Sequence, residues 1–135
     1  MFKHATRIRV RYGETDQMGY VYYGDYAEYF EVGRVEALRS LGFPYRRLEA
    51  EGIMLPVRSL TINYHAPARY DDLITVHTSI SDNPTARIRF LYRIENEAGE
   101  LLTEAETVLV FVDKRTMRPR RAPEELLQML QPYFK

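Results

Sequence analysis

The reactive inventory of this 135-residue chain is narrow: three histidines, no cysteine and 19 acidic residues. His4 lies near the N-terminus, while His65 and His77 fall on two separate alternating segments, so none has metal-ligand spacing. All three read as surface or strand-face residues. The lack of cysteine removes thiol nucleophiles, thiolate zinc sites and disulfides, and it fits a reducing cytosol. There is no Gly-x-Ser-x-Gly elbow, phosphate-cradling glycine loop or dinucleotide fingerprint. Carboxylate chemistry is what remains. Asp16, in Tyr12-Gly13-Glu14-Thr15-Asp16, sits between a strand-like segment and the expected start of a long helix. Free N–H groups and the dipole at such a start favour negative charge and could hold the oxygen of a polarised carbonyl. A carboxylate beside them could attack that carbonyl or activate a water. Aspartate in such loops also serves as a turn former or cap, and the residues alone leave both uses open. Glu31 is a second candidate, but it stands three residues from Arg34, a spacing that predicts an ion pair.

The elements around Asp16 follow from hydrophobic period. Ile8, Val10 and Tyr12 alternate with Arg7, Arg9 and Arg11, as in a half-buried strand. After a polar loop from Gly13 to Gly24, a helix is expected from about Asp25, with Asp25 as cap and Glu28 completing a capping box. Tyr26, Tyr29, Phe30, Gly33, Ala37 and Leu41 then share one face, and Gly42 and Pro44 end it. A short helix from Pro44 to about Ala50 follows. The period then becomes two through Leu60–Ala66, Ile74–Ile80 and Ile88–Ile94, with turns at 68–72, 82–85 and 97–100. The last strand is apolar on both faces at Val108–Val112, which predicts cover on part of its outer face. A short helix is expected at Pro123–Leu127. With no repeat or linker, residues 1–135 read as one domain. The economical architecture is α+β, a long helix held in a curved antiparallel sheet.

Bulk properties exclude several partners. The 19 basic and 19 acidic residues balance, which argues against nucleic acid or an anionic membrane surface. No apolar run approaches the ~20 residues of a membrane span, and the first residues lack a signal-peptide core, so a cytoplasmic location is expected. Eleven tyrosines without tryptophan suit half-buried strand faces or an interface.

The run Tyr12-Gly13-Glu14-Thr15-Asp16-Gln17-Met18-Gly19-Tyr20-Val21-Tyr22-Tyr23-Gly24-Asp25-Tyr26 resembles the signature of the 4-hydroxybenzoyl-CoA thioesterase-like family of hot-dog proteins. The segments Phe30–Glu36 and Tyr64–Asp72 resemble that family's helix and strand-to-turn segment, so the likeness runs from about Ile8 to Pro123. It implies a hot-dog fold and hydrolysis of a short-chain, medium-chain or aromatic acyl-CoA. Asp16 would be the catalytic carboxylate, and the backbone N–H of Tyr23 would polarise the thioester carbonyl. Tol-Pal-associated members usually carry histidine where this chain has Tyr23. Pro56, Val57 and Ser59 correspond to the segment near the acyl pocket. Arg118 and Arg120 correspond to an Arg-x-Arg that meets the nucleotide phosphates. Further basic residues of relatives near 83–85 are absent here, with Arg87 the nearest substitute. The resemblance also implies a homodimer or homotetramer with sites at the subunit boundary. No separate cofactor is expected, since coenzyme A is part of the substrate. Two other readings stay open: hydration of an enoyl thioester, and acyl-CoA binding without catalysis.

Overall fold

Period-two segments become strands wherever one side can be buried. In the computed structural model, which describes residues 1–134, they are β1 (Phe2–Arg9), β3 (Val57–Tyr64), β4 (Leu73–Ile80), β5 (Arg87–Glu95) and β6 (Leu101–Val110). They pair antiparallel in the order β1-β4-β5-β6-β3. Inward residues such as Ile74, Val76, Ile88, Phe90 and Ile94 are fully buried, while the alternate positions reach solvent. The long helix α1 (Tyr26–Leu41) lies in the hollow of this sheet and buries Tyr26, Tyr29, Phe30, Ala37 and Leu38. This is the expected hot-dog architecture.

Gly33 is the point of closest approach. A Cβ there would stand 2.7 Å from Thr78 Oγ1 and 2.8 Å from Val76 Cγ1, so any side chain would push α1 off β4. At the C-terminus of α1, Gly42 takes the left-handed conformation (φ 102°) and its N–H closes on the last carbonyls. The short helix α2 (Tyr45–Ala50) follows, with Pro44 just before its first turn.

Five details depart from expectation. Asp25 does not cap α1 through its side chain. Its backbone is already helical (φ −78°, ψ −14°) because a 3-10 turn, Tyr23–Asp25, leads directly into the helix. Tyr12 leaves the strand pattern for another 3-10 turn, Tyr12–Glu14, and is 78% exposed. The turn at Ala68–Asp72 does not join neighbours. It carries the chain from β3 at one edge to β4 on the far side of β5 and β6, passing the start of α1. The doubly apolar stretch is divided: β6 ends at Val110, and β7 (Val112–Asp113) pairs with β2 (Ile53–Met54) in a second small sheet. Phe111 there joins the core with Leu126 and Leu130 of α3 (Glu124–Leu130), so the chain itself supplies part of the cover. Finally, Arg34 does not pair with Glu31 but turns inward to the Tyr45 hydroxyl and is 7% exposed.

The two sheet edges differ. β1 presents exposed Lys3, Arg7 and Arg9. β3 leaves Val57, Leu60 and Tyr64 between 40% and 48% exposed beside an unpaired row of backbone groups.

Candidate active site

The loop from Val10 to Tyr23 is a small folded unit. Its base is fixed by reciprocal bonds to the β3–β4 connection: Val10 N–H to Asp72 O (2.9 Å) and Asp71 N–H to Val10 O (3.0 Å). Thr15 and Val21 pair as an antiparallel bridge, Tyr22 N–H donates to Glu14 O (2.8 Å), and Val21 N–H donates to Ala68 O (2.8 Å). Asp16 stands at the tip. Its N–H donates to Tyr20 O (2.8 Å), and Gly19 provides the left-handed residue (φ 78°) that reverses the chain.

This turn orients the Asp16 carboxylate. Oδ1 accepts the backbone N–H groups of Met18 (2.9 Å) and Tyr20 (3.3 Å). Among the described residues Oδ2 has no hydrogen-bond partner, so one oxygen is held and the other is presented. Asp16, Met18, Val21, Tyr23, Tyr26, Tyr64, His65 and Pro67 line a cavity of about 340 Å³. On its other side Asp16 borders an open cleft of about 710 Å³ with Tyr12, Thr15, Gln17 and Tyr70.

Tyr23 begins the 3-10 turn before α1, where an N–H has no acceptor within the turn. Its carbonyl, by contrast, accepts the Tyr64 hydroxyl at 3.1 Å. The Tyr64 ring meets Tyr26 edge to face at 5.2 Å, and the Tyr26 hydroxyl accepts Ala68 N–H at 3.4 Å. Burial raises the pKa of both Tyr26 and Tyr64, so both hydroxyls stay neutral at physiological pH. Start of helix, edge strand and crossing connection therefore meet at the Asp16 cavity.

Beneath the loop lies a buried polar cluster that the sequence did not single out. Glu14 is 7% exposed. Its Oε1 accepts Arg11 N–H (2.8 Å) and the Tyr29 hydroxyl (2.8 Å), and its Oε2 accepts Arg11 Nε (3.1 Å) and Nη2 (2.9 Å). Burial alone would raise the Glu14 pKa, but the bonds from Arg11 and Tyr29 outweigh it and hold the carboxyl below its usual range. Tyr29 is pushed strongly upward, first by burial and then by the facing carboxylate. The only sequence signal was the opposite charge of Arg11 and Glu14 at a spacing of three.

Asp16 and Tyr23 thus share one cavity, whereas the other candidate residues stand elsewhere. Pro56 immediately precedes β3 and Val57 and Ser59 occupy its beginning, while Tyr64 at its end adjoins Asp16. Tyr64 lies seven residue steps along the strand from Val57, roughly 24 Å. Val57 lines a cavity of about 270 Å³ between α1 and β3, with Ala27, Phe30, Arg34, Leu60 and Thr107. Arg34 Nε donates to the Tyr45 hydroxyl at 3.3 Å, and the Tyr92 hydroxyl bonds Thr107 Oγ1 at 2.6 Å. Burial pushes Tyr92 up to about 12. Arg118 and Arg120 are exposed on the segment after β7, beyond the Val110 end of β6 and so at the Val57 end of the sheet. Arg87 pairs opposite Val110 at that same end. Of the histidines, His65 bonds Glu104 at 3.0 Å and borders the Asp16 cavity, and His77 approaches Glu95 at 3.6 Å. Among the described residues no three His, Asp or Glu side chains gather as a metal set.

Residues 10–130 match the family model described as the thioesterase-like superfamily. The chain belongs to that superfamily. It is 38% identical over 120 residues to the acyl-CoA thioester hydrolase YbgC of Escherichia coli O157:H7, covering 89% of this chain and 90% of that one. Among solved structures, the DHNA-CoA thioesterase of Staphylococcus aureus superposes with a TM-score of 0.86 at 37% identity, over 99% of this chain and 85% of the other. A protein of Thermus thermophilus, TT1821, gives a TM-score of 0.88 at 40% identity, over 95% and 97% of the two chains. The superfamily match spans the Asp16 loop, α1 and the whole sheet except β1.

Proposed function

We propose that the protein hydrolyses an acyl-CoA thioester to a free acid and coenzyme A, with Asp16 as its catalytic carboxylate. The observation that carries this reading is geometric: the presented oxygen of Asp16 and the free N–H end of the Tyr23 turn face one cavity. The thioester carbonyl oxygen is held by Tyr23 N–H, reinforced by the positive end of α1. Asp16 Oδ2 attacks the carbonyl carbon or takes a proton from an attacking water; in both routes the C–S bond breaks and the thiolate leaves to take up a proton. The routes differ in whether an anhydride forms at Asp16, which a water must then cleave to release the acid and restore the carboxylate. Neutral Tyr26 and Tyr64 keep competing charge out of the cavity.

We further infer that the complete site needs two chains. The exposed β3 edge, apolar at Val57, Leu60 and Tyr64, is suited to pairing with its own copy. Antiparallel pairing about a two-fold axis sets the Val57 end of one β3 against the Tyr64 end of the other. The partner's Val57, Ser59, Arg118 and Arg120 would then approach this chain's Asp16. That arrangement reconciles the basic pair, suited to phosphates, with its distance from Asp16 within one chain. The acyl group is short-chain, medium-chain or aromatic, and the proposed location is the cytoplasm, where acyl-CoA esters occur. The test is a panel of such acyl-CoAs assayed for free thiol. Release from at least one supports the reading; tight binding without release across the panel, or water addition to crotonyl-CoA without thiol release, overturns it.

A further inference from the structure

Asp16 is placed by its own turn, but that turn must itself be anchored to the helix whose N–H groups hold the substrate carbonyl. Glu14 is a buried side chain that links them directly. Its backbone carbonyl accepts Tyr22 N–H (2.8 Å), joining the two arms of the Asp16 turn. Its side chain takes all four of its hydrogen bonds from Arg11, at the base of the loop, and from Tyr29, on the first turn of α1. Tyr29 is 2% exposed and packs edge to face on Tyr26 at 5.7 Å, and Tyr26 lines the Asp16 cavity. Glu14 therefore connects, through rigid and buried groups, the carboxylate two residues ahead of it and the helix start that carries Tyr23.

We propose that Glu14, held by Tyr29 and Arg11, is a positioning residue that fixes Asp16 relative to the Tyr23 N–H. It is not a catalytic residue: the carboxylate is buried and its oxygens are engaged, so none reaches the cavity. Its effect passes through geometry. A carboxylate displaced by about 1 Å from its working position can cost on the order of 100-fold in rate, and functional groups keep such precision only when the residues behind them are locked. The ion-pair partner Arg11 is 77% exposed at its side chain, so the guanidinium alone would be a weak anchor. The Tyr29 hydroxyl, delivered from the core, supplies the rigid side of the clamp.

This inference rests on the assignment of Asp16, and the experiment separates the two. Wild type, Asp16→Asn, Glu14→Ala, Glu14→Gln and Tyr29→Phe are compared for kcat and KM on one hydrolysed acyl-CoA, each sample verified as folded by circular dichroism at the assay temperature. Tyr29→Phe keeps the buried ring and removes only the hydroxyl, so it decides the matter if Glu14→Ala does not fold. The expected result is a fall in kcat of about 10- to 100-fold in Glu14→Ala. Tyr29→Phe should fall less, Glu14→Gln should recover part of the loss through its remaining acceptor, and KM should stay within about twofold throughout. A purely structural role would lower the melting temperature and leave the kcat of the folded protein unchanged. Wild-type kcat in Tyr29→Phe and folded Glu14→Ala, or an effect confined to KM, overturns the inference while an inactive Asp16→Asn keeps the assignment. An active Asp16→Asn overturns the assignment, and the inference falls with it.

Discussion

Replacing Gly33 by alanine tests how closely α1 is fitted to the sheet, because two effects of opposite sign compete there. Alanine is a better helix former than glycine by about 0.8–1.0 kcal/mol, so an isolated helix would gain. In the fold the added methyl would stand 2.7 Å from Thr78 Oγ1 and 2.8 Å from Val76 Cγ1. Both neighbours are β-branched, sit at 1% and 0% exposure, and lie on a strand paired on both sides, so neither can swing away. Overpacking of this kind costs about 1–3 kcal/mol, and the stiffness of the neighbours puts this site in the upper half of that range. The net expectation is a loss of about 1–2 kcal/mol, read as a melting point lower by about 3–10 °C or as a lower urea midpoint at unchanged slope. Thr78→Ala removes the nearest contact together with a buried hydroxyl that lacks a partner, so the double variant should recover part of the loss. A Gly33→Ala protein as stable as wild type, or more so, would refute the close packing of α1 on β4.

Two further expectations follow from the site. The Glu14 carboxyl is held below its ordinary value of 4.5, so its stabilising effect is complete above that pH and is lost as the pH falls through the folded value. In urea unfolding, the gap between wild type and Glu14→Gln should be widest near neutral pH and shrink below 4.5, whereas a constant gap would contradict the buried ionised cluster. For the two-chain site, Asp16→Asn and the Arg118→Ala/Arg120→Ala double variant should each be poor at low substrate. Random remixing of equal amounts should restore about a quarter of wild-type activity, because half the dimers are mixed and each holds one intact site. No recovery would mean that Asp16 and the arginines act within one chain.

The sequence was most legible where burial is one-sided. Ile74–Ile80 and Ile88–Ile94 alternate because α1 covers only their inner face, and Tyr26, Tyr29, Phe30 and Ala37 recur because the sheet covers only one side of α1. The position of Asp16 before a helix start was legible for the same reason. Features set by distant partners were not. β2 and β7 are two residues each and carry no period. Arg34 shares the spacing of a surface ion pair with Glu31, yet Tyr45 from α2 and Tyr92 from β5 draw it inward. The inward clamp on Glu14 depends on Tyr29, fifteen residues on, and no local pattern marks that pairing. In the proposed two-chain site the relation of Arg118 and Arg120 to Asp16 would depend on a second chain, which neither the sequence nor a single chain displays.

The central claim is that Asp16 carries the hydrolysis, and the direct measurement is thiol release from a hydrolysed acyl-CoA by wild type and Asp16→Ala. The account predicts a fall in kcat of about 10²- to 10⁴-fold in the variant, with its circular dichroism spectrum unchanged. Full activity in a folded Asp16→Ala protein would contradict it.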